Sequence, residues 1–103
     1  MTDEKVKISL LNQIYGSVLT ERQRAVLERF YDCDCSLGEI AQEFCISRQA
    51  VMDAVKKGSE TLLKMELKIG FLSVKQQLSD CIEQLKTTDD IVKIADRMTT
   101  ILE

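Results

Sequence analysis

Residues 36–57, SLGEIAQEFCISRQAVMDAVKK, constrain the fold of this 103-residue chain more than any other segment. Ser36 is suited to cap a helix start, and Glu39 follows three residues later, where its carboxylate can return a hydrogen bond to the Ser36 amide. Apolar residues then recur at helical spacing, at Ile40, Ala41 and Phe44. This pattern predicts a short helix with one apolar face.

A second helix is predicted directly after a three-residue break at residues 45–47. Ser47 is suited to cap it, and its apolar stripe is formed by Val51, Ala54 and Val55. Two helices with so short a connection cross steeply, so a small residue is needed where they touch, and Ala41 lies there. Ile46 is expected to fill the corner between them. Together the two segments indicate a helix-turn-helix.

The composition favours helices along the whole chain. Proline is absent, glycine occurs only four times and no Val/Ile-rich alternating run is present. We therefore predict an all-α fold: a three-helix core, like the winged-helix type of DNA-binding domain, followed by a C-terminal antiparallel helix pair. No apolar run is long enough for a membrane span and the first residues are unlike a secretory leader, so we expect a cytoplasmic protein without membrane contact.

Helical periodicity also predicts two helices before the motif. The first covers residues 6–18, with apolar positions at Ile8, Leu11, Ile14, Tyr15 and Val18. The second is capped by Thr20 with Gln23, which completes another capping box. Its expected buried side consists of Ala25, Val26, Leu27, Phe30 and Tyr31.

The helix-turn-helix domain is predicted to cover residues 1–65, because the second helix of the motif is expected to run towards Met65, weakened locally by Gly58 and Ser59. Residues 66–103 form the helical pair, with Gly70 as the candidate hinge and Thr87-Thr88-Asp89 as the turn and cap between its helices. The two stripes are Phe71, Val74, Leu78, Cys81, Ile82 and Leu85, then Ile91, Ile94, Ala95, Met98, Ile101 and Leu102. Either the pair packs on the first domain or it forms the surface of a homodimer, and we expect the dimer.

The positions of the cysteines and the absence of histidine limit the disulfides, metal sites and catalytic groups that the chain can form. Cys33 and Cys35 are too close in sequence for an ordinary disulfide and closer than the C-x-x-C of a zinc site. Cys45 and Cys81 are expected to be buried thiols. With no histidine, no glycine-rich phosphate loop and no activated nucleophile, we expect no enzyme, no cofactor and no metal site.

Binding through the second helix of the motif is the remaining prediction. In such motifs this helix enters the major groove of DNA. The outward positions, which we predict as the nucleic-acid-binding residues, are Ser47, Arg48, Gln49, Met52, Asp53, Lys56 and Lys57. Arg48 is suited to guanine, Gln49 to adenine, and the two lysines to phosphates. Arg22 and Arg24 are candidates for the flanking backbone.

The charge balance opposes this prediction. The first sixty residues carry eight basic and ten acidic side chains, and the net charge of the chain is −3. Because phosphate neutralisation supplies most nonspecific DNA affinity, weak and salt-sensitive binding is expected. Asp53 would repel phosphates or accept a hydrogen bond from a cytosine amine.

The runs LTERQRAVLERFY and SLGEIAQEFCISRQAV resemble region 4 of bacterial sigma factors and, more closely, the YlxM family of small bacterial proteins. The resemblance covers residues 10–65 and implies a sigma region 4-like helix-turn-helix in a regulatory or accessory protein linked to the signal recognition particle pathway. It implies nucleic-acid contact at Ser47, Arg48, Gln49, Asp53 and Lys56. Cys45 departs from the commoner pattern, in which glycine suits a left-handed turn, so we expect a turn that is either strained or of a different shape.

Three functional hypotheses follow. The first is a dimeric regulator that binds duplex DNA. The second is a protein or ribonucleoprotein adaptor that docks onto components of the signal recognition particle and does not bind duplex DNA. The third is a decoy that occupies RNA polymerase by mimicking sigma region 4.

Overall fold

The computed structural model describes residues 2–87 and 90–103, and within them it is all-α, as predicted. Its helices are Thr2–Tyr15 (α1), Glu21–Leu27 (α2), Leu37–Phe44 (α3), Arg48–Ile69 (α4), Phe71–Thr87 (α5) and Ile91–Leu102 (α6). A 3₁₀ turn, Gly16–Val18, follows α1, and a π-helical turn, Glu28–Asp32, continues α2. No strand occurs in the described residues, and none of their helices is long and apolar enough to cross a membrane.

Local hydrogen bonds set the starts of the helices. Both predicted capping boxes are present: the Thr20 hydroxyl accepts from the Gln23 amide at 3.1 Å, and the Ser36 hydroxyl accepts from the Glu39 amide at 3.1 Å. In each, the side chain of the third residue accepts from the amide of the capping residue. For α6, the cap is Asp90, whose carboxylate accepts from the Lys93 amide at 3.1 Å. The predicted cap at Thr88 and Asp89 lies outside the described residues.

The chain divides into two compact units, the first ending at Ile69 and the second beginning at Gly70. In the first unit, α4 is the central helix and packs against α1, α2 and α3. The fully buried side chains come from all four helices and are Ile8, Leu11, Val26, Leu27, Ile40, Val51 and Leu62. Two hydrogen bonds to α4 add to this packing. The Tyr15 hydroxyl donates to the Glu66 carboxylate at 2.9 Å, and the Tyr31 and Ser59 hydroxyls are hydrogen-bonded at 3.3 Å.

Gly58 lies where α2 and α4 approach each other closely. The helix is unbroken through Gly58 and Ser59 and extends to Ile69. A Cβ atom at Gly58 would lie 2.9 Å from Leu27 Cδ1, so the missing side chain lets α2 approach α4 closely. The glycine is therefore a packing residue of the first unit.

Two expectations about burial were wrong. Val18 is 52% exposed, because the α-helix gives way to a 3₁₀ turn at Gly16 and the helical spacing no longer sets its direction. Cys45 is exposed, since it is the residue at which the chain turns from α3 to α4. Cys81 is fully buried, as predicted.

The second unit is a pair of antiparallel helices, α5 and α6, that pack against each other. Its buried side chains are Leu72, Cys81 and Ile94. Arg97 on α6 donates a hydrogen bond to Gln84 on α5. Gly70, where the unit begins, has a left-handed backbone with φ of 70°, a conformation that glycine adopts without the steric cost of a Cβ atom.

Candidate nucleic-acid interface

The turn between α3 and α4 has a defined geometry. Cys45 takes a left-handed conformation, with φ of 55° and ψ of 44°. The amide of Ile46 donates to the carbonyl of Ala41 at 3.0 Å, and the amide of Cys45 donates to that of Gln42 at 3.4 Å. These two bonds form a Schellman motif, whose turn residue is usually glycine. The turn therefore has the left-handed shape typical of the motif, with the strain of a cysteine at the glycine position.

α4 begins at a side-chain cap, as predicted. The Ser47 hydroxyl accepts a hydrogen bond from the Ala50 amide at 3.0 Å. This bond satisfies one of the free amides at the helix start and fixes the direction in which α4 leaves the turn. Val51 is fully buried and Val55 nearly so, so this side of α4 faces the core and the opposite side faces solvent.

All seven predicted nucleic-acid-binding residues are exposed and lie on the solvent side of α4 or at its start. They are Ser47, Arg48, Gln49, Met52, Asp53, Lys56 and Lys57. At about 100° per residue, the six that lie within the helix span roughly half of its circumference, and the buried residues Val51, Val55 and Leu62 occupy the other half. We call these seven residues the α4 outer surface. Their arrangement matches the sequence pattern, while their binding role stays a prediction.

Two of these side chains have partners that the sequence analysis did not identify. The guanidinium of Arg48 lies over Gly38, where a Cβ atom would come 3.0 Å from Arg48 Nη2. The Gln49 amide donates to the Asp53 carboxylate at 3.2 Å. The i,i+4 spacing of Gln49 and Asp53 is the signal that would have revealed the second contact, whereas the first depends on how α3 and α4 cross.

A hydrogen-bonded ion pair links α3 to the segment that precedes it. Arg29 Nε lies 3.1 Å from both carboxylate oxygens of Glu43. The hydrogen bond and charge of Glu43 raise the pKa of Arg29 above its ordinary value. The two flanking arginines suggested by the sequence, Arg22 and Arg24, are both exposed. Arg24 lies 4.0 Å from the Glu28 carboxylate.

Hydrogen bonding and burial shift the pKa of two further groups near the motif. The backbone amide of Ser36, and then its hydroxyl, hold the pKa of Glu39 below its ordinary value. Partial burial, followed by the nearby Glu39 carboxylate, raises the pKa of the Cys35 thiol. A raised pKa keeps this thiol protonated and weakens it as a nucleophile.

No cluster of metal-ligating side chains occurs among residues 2–87 and 90–103. The four cysteines are free thiols, of which Cys33 and Cys45 are exposed. The α4 outer surface consists of hydrogen-bonding and charged side chains together with Met52.

Comparison with known proteins identifies the family. Residues 2–101 match the sequence profile of the UPF0122 family, described as "Putative helix-turn-helix protein, YlxM / p13 like". The chain belongs to this family. The match confirms the resemblance to YlxM proteins and agrees with the helix-turn-helix geometry of α3 and α4.

Relatives within the UPF0122 family cover most or all of the chain. A UPF0122 protein of Desulforamulus reducens is 44% identical over 84 residues, which are 81% of this chain and 72% of the relative. One of Halalkalibacterium halodurans is 37% identical over 103 residues, which are 100% of this chain and 94% of the relative. One of Listeria monocytogenes serotype 4b is 41% identical over 86 residues, or 84% and 78% of the two chains.

Proposed function

We propose that this chain is a regulatory helix-turn-helix protein, linked to the signal recognition particle pathway, that binds duplex DNA through the α4 outer surface. The supporting observation is the pairing of its cations. Arg29 and Lys5 are paired with the carboxylates of Glu43 and Asp34. Arg48, Lys56 and Lys57 have no carboxylate partner among the described residues, so their charges are available to a polyanion.

The proposed binding follows from the position of each side chain along α4. A major groove admits one α-helix, with the N-terminal residues of that helix at the base edges. On binding, the Arg48 guanidinium moves away from Gly38 and contacts guanine. The Gln49 amide gives up its hydrogen bond to Asp53 and bonds to adenine instead. Lys56 and Lys57, two turns further along, neutralise phosphates. Asp53 accepts from a cytosine amine or excludes other bases, which restricts the sequences that bind.

Recognition rather than catalysis is the activity that we propose. The helix-turn-helix is a binding motif, and the sequence contains no histidine for acid–base chemistry. A protein that binds cellular DNA, or the particle of the second hypothesis, acts in the cytoplasm, which is the location we expect.

Fluorescence anisotropy with labelled duplex DNA tests the proposal at low and physiological salt. Once a preferred site has been selected, Arg48→Ala is expected to lose about 1–3 kcal/mol at that site and to relax its specificity. Lys56→Ala should weaken binding to all duplexes and reduce the salt slope by about 1. Lys7→Ala, which removes an exposed lysine from α1, is the matched control and should bind like the parent chain.

The result that overturns the DNA-binding proposal is equal binding by the parent, Arg48→Ala and Lys56→Ala proteins. A second outcome, no duplex binding at any salt concentration, also overturns it. The two hypotheses that do not need duplex DNA then remain, the adaptor for the signal recognition particle and the decoy that occupies RNA polymerase.

The net acidic charge of the chain favours that second candidate. With a net charge of −3 and Asp53 on the α4 outer surface, a partner with its own basic protein surface is better matched than a bare duplex. Its test adds the labelled particle RNA to the titration and probes the particle's GTPase with the immobilised chain. Binding to the RNA or to the GTPase supports an adaptor, and binding to neither overturns this second candidate.

A further inference from the structure

The α5–α6 unit leaves much of its apolar surface exposed. On α5, Phe71 is 51% exposed, Ile82 49% and Leu85 38%. On α6, Ile91 is 63% exposed and Leu102 77%. Such side chains are ordinarily buried when they recur at helical spacing. The exposure of these side chains in both helices of one small unit indicates that a partner surface covers them.

The exposed rows of the two helices lie on the same face. In α5 the exposed Ile82 follows the buried Cys81 by one residue, and in α6 the exposed Ala95 follows the buried Ile94 by one residue. Each step turns about 100° around its helix in the same rotational sense. Because the helices are antiparallel, equal rotations bring both rows to one side of the unit.

We call this side the apolar face. It is formed by Phe71, Leu78, Ile82 and Leu85 of α5 and Ile91, Ala95, Met98 and Leu102 of α6. Lys75 is the one charged side chain within these two rows, and its long stem allows the ammonium group to reach the rim. Apart from Lys75, neither row carries a charge that would repel the same surface of a second copy.

The size of the unit indicates that it needs such a partner. It comprises residues 70–103, and chains below about 40 residues are rarely stable without a disulfide, a metal or oligomerisation. Cys81 is a free thiol, and the described residues hold no cluster of metal ligands. Of the three means of stabilisation, oligomerisation is the one that the apolar face can provide.

The area of the face also suits a dimer. At 1.5 Å per residue α5 is about 25 Å long and α6 about 18 Å, and two adjacent helices are roughly 20 Å wide. Each face is therefore about 400 Å² in projection, and pairing two faces removes on the order of 1,000 Å² of accessible surface, near the lower bound of specific interfaces. We propose that the apolar face binds the same face of a second copy of this chain, forming a four-helix bundle.

Light scattering coupled to size-exclusion chromatography tests this proposal over a wide concentration range. The parent chain is expected to pass from 11.7 kDa to twice that mass as its concentration rises into the micromolar range. Ile82→Glu and Ile91→Glu each place two carboxylates in the dimer interface and should weaken association on the order of a hundredfold or more. Gln76→Glu, an equal charge change at an exposed position of α5 outside the apolar face, should leave association unchanged.

Thiol labelling at Cys81 shows whether the variants keep the α5–α6 packing, since this side chain is 0% exposed in the parent. Leu102→Glu, at the end of α6, provides a further variant that cannot disrupt the centre of the unit. A parent chain that is monomeric at every concentration overturns the proposal. So does a dimer that all three face variants leave as stable as Gln76→Glu does.

Discussion

Gly58→Ala is expected to destabilise the first unit even though alanine is the better helix former. The added methyl would lie 2.9 Å from Leu27 Cδ1 and 3.4 Å from Leu27 Cγ, whereas carbon atoms in contact prefer about 3.5–4.0 Å. Leu27 is 1% exposed, so it has little room to move away. The overpacking costs about 1–3 kcal/mol.

The helix propensity of alanine offsets about 1 kcal/mol of this cost. The net loss in the free energy of unfolding is therefore about 1 kcal/mol, or roughly 4–8 °C in Tm for a domain of this size. Urea unfolding followed by far-UV circular dichroism measures it. Lys57→Ala compared with Lys57→Gly, at the adjacent exposed position, measures the propensity term alone and should favour alanine by about 1 kcal/mol.

A double-mutant cycle isolates the contact between Gly58 and Leu27. Leu27→Ala removes the atoms that the new methyl would meet, at a cost of about 2–5 kcal/mol. In that background Gly58→Ala should become stabilising by about 1 kcal/mol, which gives a coupling energy of about 2 kcal/mol. If Gly58→Ala stabilises both backgrounds equally, the close approach of α2 to α4 does not explain the glycine.

Three further changes test other parts of the first unit. Cys45→Gly should raise the free energy of unfolding by about 1 kcal/mol by relieving the left-handed backbone, and Cys45→Ala, which keeps the Cβ atom, should give no such gain in the same urea assay. Because the pKa of Glu39 is lowered in the folded state, its contribution to the free energy of unfolding is complete above the unfolded-state pKa of 4.5. That contribution is lost as the pH falls through the lower pKa of the folded state. A pH series of unfolding curves should show this loss, and Glu39→Gln, which can still bond to Ser36, should lack it. Leu62→Ala, at a fully buried position, should cost about 2–5 kcal/mol, whereas Leu67→Ala, at a position 87% exposed, should stay within about 0.5 kcal/mol.

Features that depend on a few neighbouring residues could be predicted from the sequence. Each of the three predicted helix caps, at Thr20, Ser36 and Ser47, depends on a hydrogen bond to the amide three residues later. Serine and threonine are preferred at such positions, so the residue type alone indicates the cap. At Cys45 the sequence left two alternatives open, a strained turn or a turn of different shape, and the structure has the left-handed turn in which a cysteine is strained. The exposed side of α4 followed from the spacing of Val51 and Val55.

Features that depend on how helices cross could not be predicted in this way. Gly58 was interpreted as a local weakness because propensity is a property of one residue, while its contact with Leu27 joins two distant helices. The position of Arg48 over Gly38 is similar, since it requires the crossing of α3 and α4. Val18 was assigned to the core because a 3.6-residue period was extended past Gly16, where the backbone changes to 3₁₀.

The π-helical turn at Glu28–Asp32 has a consequence for length variation within the family. Its bond from the Cys33 amide to the Glu28 carbonyl, at 3.1 Å, spans five residues, so the turn accommodates one residue more than an α-helix would. Deleting one residue here is expected to restore α-helical bonding and to rotate Tyr31 by about 100° relative to α2. Relatives with one residue fewer between α2 and α3 should then lack a tyrosine in contact with the position of Ser59. The prediction is checked in a comparison of family sequences: the length of the segment between α2 and α3 should covary with the residues at the positions of Tyr31 and Ser59.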